Sequence, residues 1–159
     1  MKYQVILLNG PSSSGKSTLS RNIQTILSDY EIISIDDFMK IGEDETIYED
    51  DVYDISGDMC EATLEHLKRG KGVIIDHVIT SQRIYEQLLD YLKEYAVLKV
   101  RVSCPLEVLL QREIDRGNRC PGSAEASFQY LYPQEGYDLT VDTHAMTSKD
   151  CAKVIAEYA

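Results

Sequence analysis

Gly10-Pro11-Ser12-Ser13-Ser14-Gly15-Lys16-Ser17-Thr18 stands between an apolar run, Val5 to Leu8, and a helical pattern that begins near Lys16. The spacing is G-x-x-x-x-G-K-S, which wraps backbone N–H groups around phosphate oxygens. The two glycines allow the tight wrap, and a helix starting at the end of the loop adds its positive N-terminal end. On this reading Gly10, Ser12, Ser13, Ser14, Gly15, Lys16, Ser17 and Thr18 bind ATP. Lys16 bridges the β- and γ-phosphates, and the Ser17 hydroxyl ligates Mg²⁺. A chance Gly/Ser loop would not require the strand before it and the helix after it.

With 159 residues, the sequence predicts a single domain, 1–159, able to bury one sizeable core and too short for a second. No apolar run reaches the length of a membrane span, and the chain opens directly on a strand with no basic leader, so a cytoplasmic location and no membrane partner are expected. Cys60, Cys104, Cys120 and Cys151 lie far apart and form no metal-ligand spacing, which predicts reduced thiols. The oligomeric state is left open.

The net charge is −11 and disfavours a nucleic-acid partner. Nine of the acidic residues fall between Ile41 and Glu61, a segment with no Lys or Arg, so without them the chain carries only −2. The acidity therefore belongs to one segment, about 41–61, which reads either as a solvated loop or as an acceptor-side wall that favours a cationic, amine-bearing alcohol.

Five short apolar runs alternate with helical patterns. The runs are about Gln4–Leu8, Ile32–Ile35, Gly72–Asp76, Val97–Val102 and Leu139–Val141. Helices are expected from Lys16 (carrying Leu19, Ile23, Ile26, Leu27 and Tyr30), from about Ser56 to a stop at Lys68-Arg69-Gly70, and after an N-cap at Ser81. Three more are expected from Pro105 to Gly117, from about Ala124, and from Ser148 with Cys151, Val154, Ile155 and Tyr158 buried. This alternation predicts an α/β fold: a three-layer α/β/α sandwich around a five-stranded parallel sheet. Ligands in such sheets bind beyond the carboxyl ends of the strands.

That rule sorts the carboxylates. Asp36 and Asp37 follow strand two, and Asp76 closes strand three. Small-molecule kinases need a carboxylate for the acceptor's proton, a carboxylate supporting Mg²⁺, and cations that neutralise the moving phosphoryl group. Asp36 fits the first role, with Asp37 as the rival, and both lie with Phe38 and Asp76 on the acceptor side. Asp76 fits the second role. Arg112, Arg116 and Arg119 fit the third, as an arginine-bearing lid over about 112–128, with Arg119 nearest the chemistry. His77 reads as a supporting histidine. No Asn-Lys-x-Asp segment is present to read guanine.

Five stretches together resemble chloramphenicol phosphotransferase and its relatives. They are Leu-Asn-Gly-x-Ser-Ser-x-Gly-Lys-Ser at 8–17, Ile-Asp-Asp at 35–37, Ile-Ile-Asp-His at 74–77, Arg-Glu-x-x-Arg-Gly-x-Arg-x-x-Gly at 112–122, and Tyr-Asp-x-x-Val-Asp-Thr at 137–143. The resemblance spans nearly the whole chain and implies an ATP-dependent O-phosphotransferase. It matches Asp36 to the family's catalytic aspartate and Arg112, Arg116 and Arg119 to its lid. The Ile-Asp-Asp-Phe run is also similar to uridine and nicotinamide riboside kinases. The acceptor segment departs from the antibiotic kinase in being shorter and more acidic. A nucleoside or other metabolite kinase is the alternative acceptor class. A nucleotide-binding regulatory module is the alternative of another kind.

Overall fold

The computed structural model describes residues 1–39, 48–118 and 120–159. The elements run β1 (Val5–Asn9), α1 (Lys16–Ile26), β2 (Tyr30–Ser34), a 3₁₀ turn (Ile35–Asp37), α2 (Glu49–Lys68), β3 (Gly72–His77) and α3 (Gln82–Tyr91). β4 (Val97–Ser103), α4 (Leu106–Arg116), α5 (Ser123–Tyr130), β5 (Leu139–Asp142) and α6 (Ser148–Tyr158) complete the chain. All strand pairings are parallel, in the order β2-β3-β1-β4-β5. β1 therefore lies in the middle, and the loop leaving it faces elements from both halves of the sheet.

β1 and β3 are buried along their whole length, as expected of strands covered on both faces. Alternate residues serve opposite layers. Val5, Leu7, Val73 and Ile75 pack with Met59, Ile84 and Leu88 of α2 and α3, whereas Ile6, Leu8 and Ile74 pack with Leu19, Ile23, Cys151 and Ile155 of α1 and α6. A third cluster, Cys104, Leu109 and Ala124, joins α4 to α5. Cys60, Cys104 and Cys151 are buried and Cys120 is exposed, all as free thiols.

The three-layer sheet agrees with the sequence, but several details are corrected. Tyr30 does not extend α1. It opens β2, where its hydroxyl donates to the Tyr3 carbonyl at 2.5 Å. Ile35 leaves the strand for the 3₁₀ turn, and Tyr158 of α6 is exposed rather than buried.

The largest difference is α2, which starts at Glu49 and not near Ser56. Glu49, Asp50 and Asp51 fill its first turn, where negative charge complements the helix dipole, and Asp51 Oδ2 accepts from the Tyr48 amide at 3.2 Å. Six of the nine acidic residues of the 41–61 segment therefore lie in helix. The other three, Glu43, Asp44 and Glu45, lie outside the described residues, as does Arg119.

The α2 stop is as expected, with Gly70 just past the helix at φ 79°. Ser81 caps α3 by accepting from the Ile84 amide at 3.4 Å.

Candidate active site

The loop after β1 is set by close contact and by backbone sign. A Cβ on Gly10 would lie 2.4 Å from the Val102 carbonyl oxygen of β4, so only glycine lets the chain turn there. Ser13 at φ 70° and Gly15 at φ 90° then adopt left-handed backbone, which turns successive amides toward a common concavity. Lys16, the first residue of α1, is buried and reaches back across the loop, its Nζ donating to the Pro11 carbonyl at 2.9 Å and to Ser14 Oγ at 3.4 Å.

Three residues from distant elements brace the outer side of this loop. The Thr143 hydroxyl donates to the Ser14 carbonyl at 2.6 Å. Arg112 donates to the Ser13 carbonyl at 3.4 Å, to Thr143 Oγ1 at 3.2 Å and to the Thr143 carbonyl at 3.2 Å. Ser127 of α5 accepts from the Ser12 amide at 2.9 Å. Behind Ser127, the buried Glu113 carboxylate accepts from the Ala124 amide at 2.9 Å and the Gly122 amide at 3.4 Å, fixing the start of α5. Arg112, expected as a lid arginine, is thus bonded to the loop and to the end of β5 in this structure.

The carboxyl end of β3 splits its last two residues between the layers. Asp76 faces α1 and accepts from the Ser17 hydroxyl at 3.0 Å and the Ser34 hydroxyl at 3.4 Å. His77 faces α2, only 1% exposed, with Nε2 3.3 Å from Ser56 Oγ. Burial, reinforced by the charge of Lys16, lowers the imidazole to about 4, so it is neutral near pH 7.

A cavity of about 780 Å³ opens over the loop. Ser12, Ser13, Gly15, Lys16, Ser17 and Thr18 form its floor; Asp36 and Asp76 stand on one side, and Arg112, Arg116 and Thr143 on the other. Gly10 and Ser14, also expected to bind ATP, are not among the residues that line it. Of the two adjacent aspartates after β2, Asp36 lines the cavity and Asp37 does not, while Phe38 packs against the α2/α3-side core.

The sequence reading missed Asn9. Fully buried, it donates to the Tyr132 carbonyl and Tyr137 Oη, both at 2.9 Å, and accepts from the Ile79 amide at 2.9 Å. One side chain just before the loop therefore ties the segment after β3 to the segment before β5. A polar residue closing an otherwise apolar buried strand was the available signal. Thr143 and Glu113 stood within quoted stretches without a role of their own, and Ser127 had no local signal.

The chain matches the family described as chloramphenicol phosphotransferase-like protein over residues 3–159. No curated protein sequence matches it. Among solved structures it is similar to the Mycobacterium tuberculosis APS kinase in complex with AMPPNP and APS (TM-score 0.79, 14% identity, 98% of this chain and 96% of that one). It is also similar to a Sinorhizobium meliloti gluconokinase (TM-score 0.71, 19% identity, 97% and 94%) and to the Deinococcus radiodurans tunicamycin resistance protein (TM-score 0.69, 20% identity, 97% and 94%). At these identities the three likenesses establish the fold. Among the described residues, no helix is long and apolar enough to cross a membrane. With its loop, paired carboxylates and cavity in place, the chain belongs to the chloramphenicol phosphotransferase-like family and is a P-loop kinase of small molecules.

Proposed function

We propose that the protein transfers the γ-phosphoryl group of ATP to a hydroxyl of a small molecule. The observation that carries this reading is the meeting of Lys16, Asp76 and Asp36 in one cavity over the phosphate loop. The loop amides and the α1 N-terminus hold the phosphate chain, and Lys16 exchanges its hold on Pro11 for phosphate oxygens. Ser17 and Asp76 present oxygens side by side at the loop, a donor set that suits Mg²⁺ with waters completing its shell. Bound there, the ion would neutralise charge on the β- and γ-phosphate oxygens.

Asp36 orients the acceptor hydroxyl and takes its proton as the acceptor oxygen bonds to the γ-phosphorus. The bond from that phosphorus to the β,γ-bridging oxygen breaks, its electron pair leaving with ADP. Arg116, at the cavity rim, serves the transferring charge, and Arg112 holds the loop and the segment at Thr143 in register for the nucleotide's far end.

Asp36→Asn tests the assignment. Acceptor phosphorylation should fall by about 10²- to 10⁴-fold, with affinity for the non-hydrolysable analogue AMP-PNP preserved and Asp37→Asn nearly normal. A silent Asp36 variant, or a larger loss at Asp37, would overturn it.

A further inference from the structure

A second cavity, about 560 Å³, opens between the first turns of α2 and α3, and Val78 lines both it and the larger cavity. The two therefore adjoin at Val78, and both α2 and β3 pack against the 3₁₀ turn that carries Asp36. Tyr48, Glu49 and Val52 form one wall, and Ser81, Gln82 and Arg83 the other. We propose, resting on the phosphotransfer reading above, that this cavity holds the acceptor and selects a non-anionic alcohol whose amine or hydroxyl hydrogens bond to Glu49.

The charges decide the class. Two helix N-termini meet here, which alone would attract an anion. At α2, however, Glu49, Asp50 and Asp51 already occupy the first turn, and at α3 Ser81 supplies the cap. Arg83 is the one cation among the described lining residues, and it is committed. Its Nη1 pairs with Asp50 Oδ1 at 2.5 Å, and its guanidinium lies 3.9 Å from the centroid of the Tyr53 ring. Glu49 accepts a hydrogen bond from the Ser81 hydroxyl and keeps further lone pairs for a ligand. A phosphate or carboxylate entering this space would meet the Glu49 charge with no spare cation among the described lining residues. An ammonium or a hydroxyl would find an acceptor. Val52, Val78 and Ile84 give the ligand an apolar face.

Matched compounds test this with the intact protein. Glucosamine, glucose and gluconate carry the same hydroxylated six-carbon chain with an amine, no charge and a carboxylate, and uridine and uridine 3′-monophosphate, both with a free 5′-hydroxyl, form a second set. ADP release with Mg-ATP should give the non-anionic members a kcat/KM at least tenfold above the anionic ones. Glu49→Gln should lower kcat/KM for an amine-bearing acceptor more than tenfold and for a hydroxyl-only acceptor less than threefold. Glu65→Gln, further along the same helix, should change neither.

Preference for gluconate or the monophosphate, no turnover of any non-anionic compound, or an unaltered amine preference in Glu49→Gln would overturn the proposal. Calorimetric titration with AMP-PNP separates the two levels. If that analogue binds and an anionic member is phosphorylated instead, the acceptor proposal alone is lost; if it binds and no compound is phosphorylated, both readings fall. If the analogue does not bind, the phosphotransfer reading falls first and the acceptor proposal goes with it.

Discussion

The Ser17 hydroxyl donates to Asp76 Oδ2 at 3.0 Å, so the first turn of α1 and the end of β3 share one hydrogen bond at the mouth of the phosphate loop. A bound divalent ion would compete for that pair, and the carboxylate would then orient the ion's water shell. Asp76→Asn should raise the Mg²⁺ concentration for half-maximal activity by about 10- to 100-fold, the usual cost of removing such a supporting group. Initial rates across a Mg²⁺ titration at saturating ATP measure this. An unshifted midpoint would remove Asp76 from ion binding.

The Ser127 bond to the Ser12 amide predicts an effect on nucleotide affinity from a residue remote from the chemistry. Ser127→Ala leaves a loop amide without its partner at a site where the serine is buried. A loss of roughly 1 kcal/mol of preorganisation corresponds to about fivefold weaker AMP-PNP binding. Calorimetry gives the affinity, and a thermal melt of the same sample shows whether the fold is intact. Equal affinity in an equally stable variant would mean that α5 does not hold the loop.

His77 predicts an acid-side loss of stability. Unfolded, the imidazole takes a proton near pH 6.5; folded, it resists down to about 4. Between those values the unfolded state binds more protons, so stability is full above pH 6.5 and falls as the pH drops toward 4. The His77 share is about 2 kcal/mol between pH 7 and 5. Urea midpoints at these two pH values should converge in His77→Gln. Parallel slopes in the two proteins would show that the ring is not held neutral by burial.

Gly10 predicts a packing cost. In Gly10→Ala the added methyl must push against the Val102 carbonyl, and either the loop or β4 has to move. A cost of about 1–3 kcal/mol is expected, seen as a lower melting temperature together with weaker AMP-PNP binding. A variant as stable as the parent would show that the contact between loop and strand is not fixed.

The sheet was legible because each strand is a short apolar run ending at a turn, and because the alternation of strands and helices admits few arrangements. The phosphate loop was legible for the same local reason, since its spacing is its mechanism. The start of α2 was missed because acidity was read as solvation. Glu49-Asp50-Asp51 just ahead of Val52 and Tyr53 is instead the charge pattern of a helix entry. Arg112 was singled out, but that Thr143 and Ser127 brace the loop was illegible from local pattern. Thr143 lies 129 residues from Ser14, and Ser127 lies 115 from Ser12. Nothing in a local pattern announces that a particular threonine or serine will arrive there.

The order β2-β3-β1-β4-β5 puts the phosphate loop on the dividing line of the molecule. α2 and α3 lie against the β2 and β3 side, while α4 and α5 and the segment at Thr143 attend the β4 and β5 side. On the acceptor assignment proposed above, exchanging the walls contributed by 48–52 and 78–84 would leave the phosphate-loop half standing, so specificity on this scaffold would be rewritten by region, one alcohol for another, without disturbing the nucleotide's cradle.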